Sequence, residues 1–212
     1  MPHIIPAILA HTEEEFQSKL EIIRKLNTFF QIDVVDGEFA SPKTFVESPS
    51  RLSLEGVPVF EVDLMANDPL QVVDSWMQAG AARFIFHAEA NDDPALVIKA
   101  VKQYNGKEVG MSLNPETPWD ALEPYLAALD VVLFLGVHPG KSGQNFIPEV
   151  LEKIRTFHAA YPAMPIEVDG GVTLENAKDL VKAGVSRFAV TSAIFHTPGP
   201  VYAFQRLQRS LE

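Results

Sequence analysis

Ile166-Glu167-Val168-Asp169-Gly170-Gly171-Val172 alternates apolar and acidic residues and then breaks on two glycines. Pro165 precedes the run, and the alternation predicts a short buried strand that ends on a carboxylate at the start of a loop. A second stretch of similar design, Phe30-Gln31-Ile32-Asp33-Val34-Val35-Asp36-Gly37, lies far upstream. Two strand-end aspartates that each lead toward glycine point to two acid/base groups facing one pocket.

The same pattern extends in both directions from these stretches. Strand signals fall at 4–9 (interrupted by Pro6), 30–35, 58–65, 83–89, 108–113, 131–137, from 166 onward, and 187–190. The run at 131–137 is the most apolar and suits burial on both faces. Between them lie helical signals. Thr12 reads as an N-cap with Glu13, Glu14 and Glu15 in the first turn, followed by Phe16, Leu20, Ile23 and Leu26 at helical spacing. Further helices are expected at 45–54 (the weakest), 70–79, 95–104, 119–128, 148–160, 174–183 and 200–211. Eight alternating βα units predict parallel strands with right-handed crossovers. They close most simply into a single α/β domain over 1–212, a (β/α)8 TIM barrel. An open doubly wound sheet would place a glycine fingerprint after strand one, where His11-Thr12-Glu13 stands instead.

Composition narrows the function. A chain of 212 residues can bury its own core without staples, and the absence of cysteine excludes disulfides and thiolate ligands. That absence is compatible with a cytoplasmic location. The formal net charge of −11 argues against nucleic acid as a partner but leaves room for a small anion at a local site. No apolar run reaches the roughly 20 residues of a membrane span, and no signal peptide is expected. A homo-oligomer is left open.

In a barrel of this kind chemistry sits at the C-terminal ends of the strands. Gln31, Asp33 and Val35 share one face of their strand, as do Asp63 and Met65, and both sets are expected to point into the barrel mouth. Asp33 and Asp169 could then act on the two faces of a flat intermediate. Gly170, Gly171, Thr191 and Ser192 are expected to cradle a phosphate. Gly140 and Gly143 would let the strand-six loop close over a ligand, with Gln144 or Lys141 touching it.

From end to end the chain resembles the ribulose-phosphate 3-epimerase family. The matching segments include Ile5-Pro6-Ala7-Ile8-Leu9, Ile32-Asp33-Val34-Val35-Asp36-Gly37-Glu38-Phe39, Asp63-Leu64-Met65 and His87-Ala88-Glu89-Ala90. They continue through Leu113-Asn114-Pro115-Glu116-Thr117-Pro118, Pro139-Gly140-Lys141-Ser142-Gly143-Gln144-Asn145-Phe146, the strand-seven stretch and Ser192-Ala193-Ile194-Phe195. The resemblance implies that Asp33 and Asp169 are the acid/base pair and also hold a divalent metal together with two histidines. It further implies a phosphorylated pentulose as substrate, with the proton at C3 removed and returned through an enediolate. Val35, Met65 and Leu135 would cushion that substrate.

This sequence departs from the family where the metal histidines should be: Gln31 and Asp63 stand in their places. Ala7, Gly136, His138, Lys141 and Thr191 also differ from the usual residues. The altered set of Asp33, Asp63, Asp169 and Gln31 favours a hard cation such as Mg²⁺ or Mn²⁺ over Zn²⁺. Without a cation, the clustered carboxylates raise one another's pKa, and Gln31 could offer its amide N–H to an enediolate oxygen. His87 is expected to be a hydrogen-bonded core histidine and Lys141 a solvated loop charge. The expected activity is a carbohydrate-phosphate epimerase on ribulose 5-phosphate and xylulose 5-phosphate or a close relative. The alternatives are a divergent isomerase or lyase on another phosphorylated sugar, or a non-catalytic binder.

Overall fold

The computed structural model describes residues 2–45 and 49–211. Eight strands close into a barrel in sequence order, each parallel to its neighbours. They are β1 (His3–Ile8), β2 (Phe30–Val35), β3 (Phe60–Met65), β4 (Arg83–His87), β5 (Glu108–Leu113), β6 (Val131–Leu135), β7 (Ile166–Asp169) and β8 (Arg187–Val190). Closure comes from β8 pairing with β1, Ala189 opposite Ile5 and Val190 opposite Pro6. The outer layer comprises α1 (Glu13–Leu26), α2 (Val73–Gln78), α3 (Pro94–Lys102), α4 (Pro148–Ala160), α5 (Ala177–Lys182), α6 (Ser192–Phe195) and α7 (Pro200–Ser210).

Strand alternation sorts the apolar side chains into separate clusters. Ile32 and Val34 face outward and join Phe16, Leu20 and Ile23 of α1 in the main sheet–helix core. Inward residues form smaller groups: Leu9, Val35 and Met65 at the mouth, and Ile85, Leu133 and Leu135 in the lumen. Gly110 of β5 is required by that filling, because a Cβ there would lie 2.6 Å from Val131 Cγ1 and 3.0 Å from Ile85 Cγ1. At this point the lumen has no room for even a methyl group.

Local signals explain where elements start and stop. Thr12 caps α1 by accepting the Glu15 N–H at 3.2 Å, and Glu15 accepts the His11 N–H at 2.9 Å in return. Asn27 ends the helix in the left-handed region at φ 47°. One expected helix, and the described part of another, are not α-helical. The stretch at 119–128 folds as two 3-10 turns, Trp119–Leu122 and Leu126–Ala128, because Pro124 withholds an N–H from any continuous helix. The stretch at 45–54 contributes one 3-10 turn, Pro49–Arg51, and 46–48 lie outside the described residues. The helix expected at 174–183 begins later, at Ala177. Its first turn is taken over by Asn176, which accepts the Thr173 N–H and donates to the Gly171 carbonyl, each at 2.8 Å. Likewise Pro69–Gln71 opens the 70–79 segment as a 3-10 turn before α2.

At the N-terminal end of the barrel the lumen is charged. Arg83 of β4 pairs with Glu61 of β3, lies 2.7 Å from Glu108 of β5 and 3.6 Å from Glu167 of β7. Glu61 and Glu167 are wholly buried. This layer lies at the end of the barrel opposite the mouth.

Candidate active site

The C-terminal mouth holds a cleft of about 520 Å³ between the ends of β1, β2, β3, β7 and β8 and the loop after β6. Among its walls are Asp33, Met65, Asp169, Gly140, Gly143, Gln144, Gly170, Gly171, Thr191 and Ser192, with His138 and Lys141 at the rim loop. The cleft therefore gathers these expected residues from four strand ends and one loop. Gln31 and Asp63 sit beneath it, both fully buried in the lumen.

Register explains the juxtaposition. Asp33 lies opposite Asp63, and Val35 opposite Met65, so the acids form a layer directly under the apolar cushion. Asp169 reaches the same layer from β7, opposite Ala189 of β8. Asp33, Asp63 and Asp169 each offer one oxygen within 4.8 Å of the others. Gln31 bridges two of them: its Nε2 donates to Asp33 Oδ1 at 2.7 Å and to Asp169 Oδ2 at 2.8 Å. Both amide hydrogens are thus spent on the acids rather than offered to a ligand oxygen.

Asp33 and Asp169, buried side by side in this layer, do not both ionise freely. Burial, and then the charge of Asp63, raises the Asp33 carboxyl to about 7. Asp169 is held well above the usual carboxylate range by burial and by the charges of Asp33 and Asp63. Beside Asp63 lies His87, fully buried, with Nε2 3.6 Å from Asp63 Oδ1 and Nδ1 3.6 Å from Glu89 Oε2. Burial works against an imidazolium there, but the two flanking carboxylates overcome it and push His87 up to about 9. His87 is therefore not the hydrogen-bonded core histidine expected from its apolar strand. It lies between two carboxylates, each 3.6 Å away, with Phe39 tilted against its ring at 4.8 Å.

The surrounding loops hold this layer in place. Glu89 accepts from the Thr117 hydroxyl and from the Asn114 N–H at 2.8 Å, and Lys153 of α4 donates to the carbonyls of Asn114, Pro115 and Thr117 at 2.7–3.0 Å. Asp36 accepts the N–H groups of Glu38, Phe39 and Asn67 at 2.7–2.8 Å, which shapes the β2 loop and ties it to the β3 loop. Sequence reading assigned no role to Asp36, Glu89 or Lys153. Only Asp36 carried a usable signal, the Asp-Gly pair of an aspartate turn. Thr191 uses its hydroxyl on the Ala7 carbonyl at 3.0 Å, closing β8 onto β1, so its backbone is what remains for a ligand. Gln144 donates to the carbonyls of His138 and Lys141 at 2.7 and 2.8 Å and braces its own loop. Two glycines show how tightly the loops meet. A Cβ on Gly140 would fall 2.6 Å from the Ser41 carbonyl oxygen, so the β6 loop lies against the β2 loop. One on Gly171 would fall 2.5 Å from the Phe146 nitrogen.

A sequence model of the Ribulose-phosphate 3 epimerase family matches residues 3–195. The chain belongs to that family. It is 30% identical to a ribulose-phosphate 3-epimerase of Schizosaccharomyces pombe, over 98% of this chain and 93% of that one. It is 31% identical to a protein of Oryza sativa named ribulose-phosphate 3-epimerase, cytoplasmic isoform, over 99% and 94% of the two chains. A solved 3-hexulose-6-phosphate synthase superposes with a TM-score of 0.70 over 100% of both chains at 19% identity, a likeness of fold alone. Membership makes this chain an isomerase of the epimerase class, and the alternatives of a lyase or a non-catalytic binder are not favoured. No described helix is long and apolar enough to cross a membrane.

A divalent cation fits the acidic layer of this epimerase. Both oxygens of Asp63 are buried without a hydrogen-bond partner, which leaves acceptors free for a positive charge. The pKa shifts make that testable. Asp33, Asp169 and His87 all have folded pKa values above their unfolded ones, so the folded state retains protons that the unfolded chain releases. Their stabilising contribution is complete at acid pH and is lost as pH rises through the folded values. For Asp33 the loss runs from about 3.8 to about 7, and His87 extends it from 6.5 to about 9. A shift of the Asp33 size is worth about 4 kcal/mol. Lys153, lowered to about 8 by burial, acts in the opposite sense only above that pH. Chelator-treated protein should therefore melt at a lower temperature at pH 8 than at pH 5.5. Millimolar Mg²⁺ or Mn²⁺ should restore several degrees at pH 8 and little at pH 5.5, because cation and proton compete for the same oxygens. Melting that ignores cations at both pH values would remove the metal from this layer.

Proposed function

We propose that the protein interconverts ribulose 5-phosphate and xylulose 5-phosphate, with Asp33 and Asp169 as the acid/base pair. The observation that carries this reading is that both aspartates, from strands on different sides of the barrel, line one cleft and are bridged by one amide. One carboxylate takes the C3 proton and the C–H electron pair passes into an enediolate. The other carboxyl returns a proton to the opposite face, so the two acids exchange roles at each turnover. The Asp33 carboxyl, raised to about 7, suits proton transfer near neutrality, and Asp169 is shifted in the same direction by burial and the neighbouring acids.

The phosphate is assigned to the backbone N–H groups of Gly170, Gly171, Thr191 and Ser192. Leu9, Val35 and Met65 form an apolar floor that keeps water from the intermediate. Gly140 and Gly143 give the β6 loop its turns, with φ of +104° and +81°, and Gln144 braces it over the cleft. Asp33, Asp63 and Asp169 are the residues that would hold a divalent cation, and three carboxylates suit Mg²⁺ or Mn²⁺ better than Zn²⁺. When bound, such a cation stabilises negative charge on the enediolate oxygens. The setting assigned is cytoplasmic, supported by the name of the rice relative.

The test is ribulose 5-phosphate incubated with purified protein in D₂O and followed by NMR, first with chelator and then with Mg²⁺, Mn²⁺ or Zn²⁺. Deuterium at C3 together with xylulose 5-phosphate is the expected result. A folded protein that exchanges nothing under any of these conditions would sink the pentulose assignment.

A further inference from the structure

Gln31 occupies an unusual position for a polar residue. It is fully buried in the lumen, opposite Ala7 of β1 on one side and Glu61 of β3 on the other. Its side chain extends to the acid layer. The amide nitrogen has two hydrogens and no lone pair to offer, and each hydrogen meets a different aspartate at good distance. The reversed amide would set an oxygen against two carboxylate oxygens, so the acids themselves orient the amide when no cation is bound. Asp33 and Asp169 sit on β2 and β7, separated around the barrel by β8 and β1. No direct strand pairing joins them, so register alone leaves the side-chain separation of the two acids to what lies between them. Among the described residues no other side chain donates to both.

We propose that Gln31 is the positioning residue of the acid/base pair, an inference that rests on the proton transfer assigned above. Its amide pins Asp33 Oδ1 and Asp169 Oδ2 at the base of the cleft. The second oxygen of each acid, Asp33 Oδ2 and Asp169 Oδ1, is then the atom that removes or returns the C3 proton. The proton count stays balanced, because the amide keeps both its hydrogens throughout. Gln31 acts through the aspartates and makes no contact with the sugar.

Two measurements on the full-length chain test this. In the first, kcat and KM for ribulose 5-phosphate are compared for wild type, Gln31→Met and Gln31→Glu, with chelator and with Mn²⁺. Met preserves length and packing without a donor, and Glu preserves shape but accepts where the amide donates. The expected result is a fall in kcat of about 100-fold for both variants with KM within about threefold, since misplaced reacting groups cost rate rather than binding. A loss confined to KM would make Gln31 a substrate contact. A loss seen only with Mn²⁺ present would make it a metal ligand, and an unchanged kcat would make it filler. Each of those outcomes overturns the proposal. The second measurement needs no turnover: in the ¹H–¹⁵N spectrum of chelated protein, both Gln31 side-chain amide protons should be protected from exchange, and Asp33→Ala and Asp169→Ala should each release one. Amide protons that exchange freely in the wild type would overturn the clamp. If wild type turns over no pentulose phosphate, the functional reading fails while the spectrum still decides the role of Gln31.

Discussion

Asp169→Asn is expected to lower epimerisation by about 10²- to 10⁴-fold, the range that a positioned acid or base contributes. Asparagine keeps the size of the side chain, and its Oδ1 can still accept the Gln31 amide, so the layer of β2 and β7 stays assembled. What disappears is the group proposed to carry the proton. Asp33→Asn should cost a similar factor for the same reason. The two variants differ in a way that a structural defect would not. With one acid removed, the remaining carboxylate can still take and return a proton on its own face. Each variant should therefore wash deuterium into C3 of one epimer without inverting it, and the two variants should choose opposite epimers. Equal residual epimerisation in both, with no epimer-selective exchange, would argue that a different group carries the proton. Steady-state rates and deuterium content at C3 in D₂O read both parts of this result.

Replacing Arg83 by methionine is expected to destabilise the fold by about 3–5 kcal/mol, the cost of removing one partner from a buried ion cluster. Arg83 is the cation shared by Glu61, Glu108 and Glu167, and two of those glutamates have no access to water. Their carboxyls are already raised, Glu61 by burial and the charge of Glu167, Glu167 by burial even against the pull of Arg83 and Arg187. Without the guanidinium both rise further. A carboxyl whose folded pKa is raised stabilises at acid pH and loses that contribution as pH climbs through the folded value. The variant should thus be nearest to wild type at low pH and furthest from it above neutrality. At roughly 2–4 °C per kcal/mol for a chain of this size, a melting experiment will resolve the loss. Adding Glu61→Gln and Glu167→Gln to the variant should return much of the stability, since the uncompensated charges leave with their counterion. A variant that melts like wild type at pH 8 would show that the cluster is hydrated and its charges cheap.

These two experiments probe opposite ends of one lumen, and the ends differ in how much of them was legible beforehand. The strand-end acids were visible because the period of a strand is two: Asp33 and Asp169 alternate with apolar neighbours and are followed by turn glycines. The ionic layer around Arg83 carried no such mark, since Glu61, Arg83, Glu108 and Glu167 come from four strands and share no spacing.

The sequence by itself determined the eightfold βα rhythm, hence the barrel, and which face of each strand would look inward. It also marked Asp33, Asp63 and Asp169 as acids at the active end, because periodicity and turn chemistry are local properties written along the chain. Tertiary structure alone decided that Gln31 spends its amide on two acids, that His87 lies between Asp63 and Glu89, and that Thr191 gives its hydroxyl to β1. It also decided that the segment at 119–128 would settle for 3-10 turns under the constraint of Pro124. The physical reason is common to the Gln31 and Thr191 contacts. Distances across a barrel lumen follow from closure and register among strands far apart in sequence, and no local pattern encodes them.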